Sequence, residues 1–397
     1  MNHYVLVLNC GSSSLKFSVV NPDNGDEPFK GIAERLNTNE TGSLTIKTAN
    51  SKQQTDLTPS THEQALLEIV QALKNQGLAE SISAVGHRVV HGGEYFSQSV
   101  VIDDSVRDKI ADCIRLAPLH NPAHVTGIDA ARKAFPNLTQ VAVFDTAFHQ
   151  QMPEKAYLYA LPYELYQRHG IRRYGFHGTS FRYISAQLPQ CLGIEKPKAV
   201  VCHLGNGGSL AAIDGDHSLD TTMGLTPLEG LVHGTRSGDI DPAIPTLLCQ
   251  QNGMTPDSVS DLLWKQSGLL GLSGISNDCR TLEEALEQGN EAAQRAMHVY
   301  CYRLAKLIAA QVVALGGLDA LVFTGGIGEN SSYVRSQAVK ALGFLGLHID
   351  ASKNDATIRG KQENIASAES LPIWVIPTNE EWLIAHDAHQ LAQGKTL

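Results

Sequence analysis

The sequence lacks the patterns that define several large classes of protein. Its seven cysteines are scattered and form no C-x-x-C pair, which argues against a disulfide framework or a zinc ribbon and favours a reducing compartment. The N-terminus has no basic segment and its apolar run stops after five residues, so we expect a strand there and no signal peptide. No stretch reaches the roughly 18 apolar residues that a membrane span needs. We therefore expect a cytoplasmic protein with no membrane partner.

Positive charge is also scarce, because 31 Lys and Arg face 41 Asp and Glu, a net charge of −10. A general binder of nucleic acids or anionic membranes needs a net basic face, so both classes are disfavoured. Hydrophobic residues make up 42% and charged residues 18%, which is typical of a folded globular protein. With 397 residues, the chain is expected to form two domains. An anionic substrate would have to meet local positive charge.

Common catalytic and nucleotide-binding motifs are absent too. There is no H-E-x-x-H and no G-x-S-x-G, and His120 and His124 have a proline between them and no third metal ligand close in sequence. Gly394-Lys395-Thr396 is not a Walker A loop, because His389 stands where its first glycine should be. Phosphate binding would need another architecture.

Short β-branched runs alternate with helical patterns along the whole chain. Helices are predicted after the capping box of Ser60 and Glu63, and over Glu291–Leu315. Strands are predicted at Tyr4–Leu8, Phe17–Val20, Ala84–Val90, Val141–Phe144, Ala199–Cys202, Ala320–Phe323 and Ile373–Ile376. This alternation indicates an α/β protein with largely covered sheets.

Two distant segments, 5–20 and 200–213, repeat one pattern of strand, tight turn of small residues and second strand. Such turns suit anions because no side chain blocks the approach of a phosphate to the backbone N–H groups. An ordinary hairpin explains either one alone, whereas two in similar halves favour a duplicated fold with facing phosphate loops. A third loop, Thr324–Asn330, follows a strand end, where α/β folds bind ligands, but lacks the third glycine of a dinucleotide fingerprint.

Polar residues near these turns indicate phosphoryl chemistry. Lys16 follows the first turn and would reach a phosphate, although a solvated lysine is the commoner case. Arg88 lies near a strand end before a Gly-Gly turn, and Arg236 lies among small residues, which suits bidentate contact with phosphate or carboxylate. Asp145 is also compatible with a helix cap, and His177 with a packing role.

Carboxylates supply candidate metal ligands. Glu380 follows the last predicted strand, where either Mg²⁺ binding or exposed helix capping would explain it equally well. Asp239 and Asp241 are better explained by fixing their loop or pairing with Arg236 than by metal binding.

Nine motifs resemble those of the acetate kinases, in the family's order and from about residue 4 to 385. They are Asn9-Cys-Gly-Ser-Ser-Ser-Leu-Lys16, Gly86-His-Arg-Val-Val-His-Gly-Gly93, Leu116-Ala-Pro-Leu-His-Asn121, Val143-Phe-Asp-Thr-Ala-Phe-His149, Tyr174-Gly-Phe-His-Gly-Thr-Ser180, His203-Leu-Gly-Asn-Gly207, Gly234-Thr-Arg-Ser-Gly-Asp-Ile-Asp241, Phe323-Thr-Gly-Gly-Ile-Gly-Glu-Asn330 and Ile376-Pro-Thr-Asn-Glu-Glu381. Two positions depart from the family pattern: Gly208, where Ala is commoner, and His233, where Met often stands.

The resemblance implies an α/β, duplicated, actin-like and sugar-kinase-like fold of the ribonuclease H-like type, with the active site in the cleft between its domains. It implies an N-terminal domain over 1–147, with 381–397 packing back on it, and a nucleotide-binding domain over 148–380. The activity implied is reversible transfer of phosphate from ATP to acetate, giving acetyl phosphate and ADP, with Mg²⁺ or, in its place, Mn²⁺. A homodimer is also implied.

The resemblance further assigns the site residues. It places the metal at Asn9 and Glu380, and the nucleotide phosphates at Ser12, Ser14 and Lys16. Arg88 and Arg236 would hold acetate and the transferring phosphoryl group, with His177 stabilising the transition state and Asp145 and His120 in support. The acetate methyl group would contact Val90, Leu119, Phe176 and Pro227. Further nucleotide contacts would come from His203, Leu204, Gly205, Asn206, Gly207, Asp278, Cys279, Arg280, Gly326, Ile327, Gly328, Glu329 and Asn330.

The chemistry of the acceptor favours direct in-line transfer. A carboxylate nucleophile is already ionised at neutral pH, so no strong general base is required and Asp145 is expected to orient a partner. Val90 narrows the acyl pocket, which favours acetate, but one methylene is worth only ~1–3 kcal/mol, so propionate should be a poorer substrate. The alternatives are a propionate or butyrate kinase and, from another class, an actin-like ATPase module, which does not explain Arg88, His177 and Arg236.

Overall fold

The computed structural model describes residues 3–397, which form two compact units. The first unit runs up to Gln150 and resumes over Asn379–Leu397, and the second is Gln151–Thr378. The sequence placed these boundaries at 147 and 380. Glu380 therefore belongs to the first unit instead of the second, because it begins a helix that packs on the sheet of the first unit.

The strands and helices follow the predicted alternation. The strands are β1 (Tyr4–Cys10), β2 (Ser14–Val20), β3 (Phe29–Glu34), β4 (Gly42–Thr48), β5 (Lys52–Leu57), β6 (Ile82–Val89), β7 (Val100–Val101), β8 (Thr139–Phe144), β9 (Lys198–His203), β10 (Ser209–Asp214), β11 (His217–Thr221), β12 (Ala320–Thr324), β13 (Glu363–Asn364) and β14 (Ile373–Val375). The helices are α1 (His62–Asn75), α2 (Asp104–Asp112), α3 (Asn121–Ala134), α4 (Glu154–Tyr157), α5 (Tyr163–His169), α6 (Gly178–Leu192), α7 (Ala243–Asn252), α8 (Pro256–Lys265), α9 (Gly268–Ser273), α10 (Cys279–Glu287), α11 (Glu291–Leu315), α12 (Gly325–Asn330), α13 (Ser332–Lys340), α14 (Ala351–Ala356) and α15 (Glu380–Ala392).

Two local predictions were wrong. Helix α1 is capped by Thr61, whose Oγ1 accepts a hydrogen bond from the Gln64 N–H at 3.2 Å, and not by Ser60. The segment predicted as a glycine-rich loop after β12 is the short helix α12. Helix α11 has the predicted bounds, and all seven predicted strands are present.

The two sheets contain the same five-strand arrangement. In the first unit the strand order is β5-β4-β3-β2-β1-β6-β8-β7, and in the second it is β11-β10-β9-β12-β14-β13. In each unit three antiparallel strands are followed by two parallel ones: β3-β2-β1 with β6 and β8, and β11-β10-β9 with β12 and β14. The duplication predicted from the two hairpins is confirmed.

Helices cover the sheets, as parallel strands require. In the first unit, α1 and α3 pack over the apolar face of β1 that carries Leu6 and Leu8, and α15 packs over the opposite face. A Cβ on Gly86 would lie 2.6 Å from Cγ2 of Ile384, so α15 contacts β6 without an intervening side chain. In the second unit α11 supplies the centre of the core. Within residues 3–397, no helix has both the length and the apolar character that a membrane crossing requires.

Candidate active site

The first glycine-rich turn connects β1 to β2 and is closed by its own backbone. The N–H of Gly11 donates to the carbonyl of Ser14 at 2.7 Å, while the N–H of Leu36 donates to the carbonyl of Ser13 at 3.0 Å. Ser12 and Lys16 remain exposed beside the turn. Two predicted phosphate-binding side chains are thus accessible on a fixed backbone.

A buried histidine that the sequence did not single out supports this turn. His62, in the first turn of α1, contacts the carbonyl oxygen of Gly11 through Nε2 at 2.9 Å. Its Nδ1 lies 3.1 Å from the amide nitrogen of Asn37. Because an amide NH₂ can only donate, Nδ1 accepts and Nε2–H donates to Gly11. No sequence motif marks this role, since His62 lies 51 residues from Gly11.

Arg88 and Asp145 form a bidentate pair at the ends of β6 and β8. Nε of Arg88 lies 3.0 Å from Oδ1 of Asp145, and Nη2 lies 2.8 Å from Oδ2. The two strands are parallel neighbours, and this register brings their ends together. Asp145 is only 2% exposed and its charge raises the pKa of Arg88 far above its ordinary value. The carboxylate of Asp145 is occupied by the guanidinium that it orients.

Asn9, Lys16, Arg88, Glu380 and Glu381 line one cavity of about 590 Å³ in the first unit. Asn9 and Lys16 are cross-strand partners in the hairpin, which explains how residues seven positions apart meet. Burial raises the pKa of Glu380 to about 7, against the opposing effect of Arg88. A nearby cation would stabilise the ionised form of this carboxyl group, because the attraction offsets the free-energy cost of burying its negative charge.

The remaining predicted residues of the first unit, His120, Val90 and Leu119, differ in their surroundings. His120 is the N-cap residue of α3 and makes no capping hydrogen bond with its side chain. Val90 is buried at 9% exposure, whereas Leu119 is 63% exposed.

Three buried histidines, one on the strand that carries Arg88 and two beside it, are expected to make this unit sensitive to acid. Burial lowers the pKa of His87 to about 4 and the pKa values of His91 and His124 to about 3. An unfolded histidine titrates near ~6.5, so below that pH the unfolded chain binds protons that the folded chain does not, and stability is lost as the pH falls.

We expect the urea concentration at the unfolding midpoint to be lower at pH 5 than at pH 7.5. The free energy of unfolding should fall by about 2 kcal/mol per buried histidine at pH 5. His124→Gln should reduce this fall relative to wild type. His298→Gln, at an exposed position of α11, should leave it unchanged and serves as the matched control. An equal fall in both variants would contradict the assignment.

In the second unit His177 lies at the start of α6 in a left-handed conformation, φ 57°. A non-glycine residue held there costs of order 1–3 kcal/mol, which the surrounding structure must supply. Nδ1 of His177 lies 2.8 Å from Oγ of Ser209, and its ring stacks on His203 with centroids 4.3 Å apart. Nδ1 of His203 lies 2.8 Å from Oγ of Ser180. The neighbouring Phe176 is buried.

Arg236 contacts a backbone carbonyl and an aromatic ring, and of the two roles predicted for Asp239 and Asp241, fixing their loop or pairing with Arg236, the structure shows the first. Its Nη1 donates to the carbonyl of Pro227 at 3.0 Å, and its guanidinium lies 5.5 Å from the centre of the Trp264 ring. Asp239 accepts the Gly230 N–H and Asp241 accepts the Ala243 N–H, so neither carboxylate pairs with Arg236. Burial lowers the pKa of Arg236, and no carboxylate among residues 3–397 offsets this effect. An anionic ligand would stabilise this cation.

The two positions that depart from the family pattern contact each other. The N–H of Gly208 donates to Nδ1 of His233 at 3.0 Å, and His233 is fully buried. A Cβ on Gly208 would lie 3.3 Å from Leu231. The glycine therefore suits the tight packing around a histidine that accepts its N–H.

Three distant predicted segments meet around a second cavity of about 740 Å³ in the second unit. Its lining includes the predicted residues Gly205, Asn206, Asp278, Cys279, Arg280, Gly326, Ile327 and Asn330. Asn277, Ser331, Ile358 and Arg359 also line it, and no sequence pattern marked them.

Two other predicted nucleotide contacts, Glu329 and Leu204, accept hydrogen bonds from backbone groups of neighbouring segments. Oε1 of Glu329 accepts the N–H groups of Gly325 at 2.9 Å and Thr378 at 3.2 Å. Leu204 is fully buried and its carbonyl accepts the Ile327 N–H at 2.8 Å. Gly325 has φ 77°, and a Cβ there would lie 2.8 Å from that carbonyl, so only glycine fits. His203, Gly207 and Gly328 do not line the cavity; Gly207 lies beside Arg236.

The duplicated fold, the small-residue turns at strand ends and the arginines beside them are the features expected of a phosphoryl-transfer enzyme built from two α/β units. The model of the acetokinase family matches residues 4–386, and the chain belongs to that family. It is 64% identical over 389 residues to the acetate kinase of Dichelobacter nodosus, covering 98% of each chain.

Two solved structures resemble the chain equally. The acetate kinase of Porphyromonas gingivalis and a propionate kinase of Francisella tularensis each have a TM-score of 0.93 and 44% identity, covering 98% of this chain and 99% of theirs. Overall similarity to these structures does not distinguish the two acyl chains.

Proposed function

We propose that this protein is an acetate kinase, which transfers the γ-phosphoryl group of ATP reversibly to acetate and yields acetyl phosphate and ADP. The observation that carries the proposal is 64% identity over 98% of an acetate kinase. Asn9, Arg88, His177, Arg236 and Glu380 match the family motifs and supply the required chemical groups.

The mechanism we propose is direct in-line transfer. A carboxylate oxygen of acetate attacks the γ-phosphorus of ATP. The bond between that phosphorus and the β,γ-bridging oxygen breaks, and the oxygen leaves with ADP, so no proton needs to move. The phosphoryl group spreads negative charge over its equatorial oxygens, which Arg88, Arg236 and His177 would stabilise. Asp145 fixes Arg88 through two hydrogen bonds, and His120 would play a supporting part.

Asn9 and Glu380 fit a bound divalent cation, which we propose to be Mg²⁺, replaceable by Mn²⁺. Both supply hard oxygen ligands to one cavity, and burial of Glu380 favours a neighbouring cation. No group of three or more His, Cys, Asp or Glu side chains within residues 3–397 could hold a metal alone. Water and phosphate oxygens would therefore complete its ligands, and the bound metal would neutralise phosphate charge. Ser12, Ser14 and Lys16 would bind the phosphates beside it.

Nucleotide binding would use the second-unit cavity. Gly205, Asn206 and Arg280 line it together with residues of α12, and the family resemblance assigns all three segments to the nucleotide. Glu329 would act by holding the backbone of that helix.

We propose acetate as the preferred acceptor, with Val90, Leu119, Phe176 and Pro227 around its methyl group. The 64% identity to an acetate kinase favours this choice, while the equal similarity to a propionate kinase keeps propionate kinase as the second candidate.

Hydroxylamine trapping of acyl phosphate tests the reaction and the acceptor together. With Mg-ATP we expect a strong signal with acetate, a weaker one with propionate, the weakest with butyrate, and none without the metal. One methylene should lower kcat/KM about 10–200-fold. A larger propionate signal would favour the second candidate. ATP hydrolysis without any acyl phosphate would favour a nucleotide-driven binding module.

We further propose a cytoplasmic homodimer. All seven cysteines are free, as a reducing compartment favours. Helix α7 buries none of its residues, and its Ile244 and Leu247 are 37% and 47% exposed, an apolar surface that a second copy would cover.

A further inference from the structure

The loop 222–230, called here the Pro227 loop, joins β11 to the segment that carries Arg236. Its ends approach closely at Gly230, where φ is 100° and a Cβ would lie 2.5 Å from the carbonyl of Thr222. Pro227 lies between these ends and its carbonyl accepts a hydrogen bond from Arg236 at 3.0 Å. The loop therefore fixes an oxygen that Arg236 contacts, and because the family resemblance places Pro227 beside the acetate methyl group, it would also set one wall of the proposed acyl pocket.

Two side chains outside the catalytic set, Arg173 and Tyr159, bind this loop, and both contact Glu229 within it. Arg173 donates through Nη1 to the carbonyls of Thr222 at 3.0 Å and Met223 at 3.3 Å. Its Nη2 lies 2.7 Å from Oε1 of Glu229. Arg173 thus holds both ends of the Pro227 loop, one through backbone carbonyls and the other through a carboxylate.

Tyr159 holds the middle of the loop. Its hydroxyl donates to Oε2 of Glu229 and accepts the N–H of Leu225 at 2.8 Å. A Cβ on Gly224 would overlap both this hydroxyl and the Glu229 carboxylate, so the loop backbone lies directly against them. The hydroxyl uses both of its hydrogen-bonding roles, and phenylalanine could replace neither.

Tyr159, Arg173 and Glu229 are partly shielded from water, which strengthens the hydrogen bonds and the ion pair between them. The Arg173 and Glu229 side chains are 18% and 32% exposed. Burial and the adjacent Glu229 carboxylate raise the pKa of Tyr159 above its ordinary value, so its hydroxyl keeps its proton at neutral pH. Removing one member leaves a partly buried polar partner unsatisfied, and the loop would shift to regain water.

We propose that Tyr159, Arg173 and Glu229 are positioning residues that set acyl-chain selectivity by fixing the Pro227 loop. The inference rests on the proposed acyl-phosphate-forming activity. A looser loop would let Pro227 move outward, which opens space for one more methylene and weakens the support of Arg236. The kcat/KM for acetate, which depends on a narrow pocket, would therefore fall more than the kcat/KM for propionate.

The test compares Tyr159→Phe with wild type by kcat/KM for acetate and for propionate at saturating Mg-ATP. We expect the ratio of acetate to propionate to fall about tenfold, toward the lower end of what one methylene can contribute. Tyr163→Phe is the matched control, because this nearby tyrosine is 51% exposed and outside the cluster. Its ratio should equal that of wild type.

A general loss of folded protein would lower the activity with both substrates equally and leave the ratio of their kcat/KM values unchanged. An unchanged ratio in a folded Tyr159→Phe variant would therefore overturn the proposal. If that variant does not fold, Glu229→Gln decides in the same assay, since it keeps the shape and loses the charge that binds Arg173. Absence of acyl phosphate from the wild-type enzyme with either acid would instead refute the proposed function.

Discussion

Arg236→Lys is expected to lower kcat for acetyl phosphate formation about a thousandfold, at the lower end of what an arginine contributes to phosphoryl transfer. Lysine keeps the positive charge but loses the planar fork that contacts two oxygens at once. It also loses the guanidinium plane that lies 5.5 Å from Trp264. Steady-state kinetics with saturating acetate and Mg-ATP would separate the effect on kcat from that on KM.

Arg303→Lys provides the control for this substitution. Arg303 is an exposed residue of α11 in the same unit, and its kcat should match that of wild type. Turnover close to wild type in Arg236→Lys would exclude a role for the guanidinium fork in the transition state.

Arg335→Leu is expected to lower the free energy of unfolding by about 3–5 kcal/mol, because a buried acceptor left without a donor costs about 1–3 kcal/mol and several are left here. Arg335 is fully buried in α13, and burial lowers its pKa to about 10. Its guanidinium donates to Oδ1 and the carbonyl of Asn354, and to the carbonyls of Gly328 and Thr357, at 2.7–2.9 Å. Leucine leaves all four oxygens without this donor.

Urea unfolding followed by tryptophan fluorescence measures the loss. Arg303→Leu removes an exposed arginine from the same unit and should change the midpoint little. Because Gly328 belongs to α12, Arg335→Leu should also raise the KM for ATP under conditions where the protein is folded. An unchanged midpoint would show that neighbouring groups or water replace the guanidinium.

Local patterns in the sequence were enough to mark the central strands of both sheets and helix α11, but not β3, β4 or β5. β-branched runs marked the strands, and helix α11 begins after Asn290, whose Oδ1 accepts the N–H groups of Ala292 and Ala293, and ends at Gly316 with φ 63°. Both ends are local features that a sequence displays. The duplication was visible for the same reason, because each hairpin is a continuous stretch of chain.

The motifs also identified the polar residues that gather around the two cavities. Asn9, Lys16 and Arg88 lie on neighbouring strands of the first unit, and Glu380 follows at the start of α15. The sequence could not choose between Mg²⁺ binding and exposed capping for Glu380. The cavity and the raised pKa distinguish its environment from that of an exposed cap.

Tertiary structure alone decided the partners of these residues. The contacts of His62 with Gly11, of Gly208 with His233 and of Tyr159 with Glu229 join residues 25 to 70 positions apart. The packing also directs Glu329 to two backbone N–H groups, and it directs Asp239 to the N–H of Gly230 and not to Arg236, which decides between the two predicted roles of that aspartate. Strand and helix patterns arise from neighbours along the chain, whereas a hydrogen bond between distant side chains depends on packing that brings their segments together. The sequence therefore determined the central strands, the longest helix and the chemical groups, and the packing of the elements determined which groups hold one another in place.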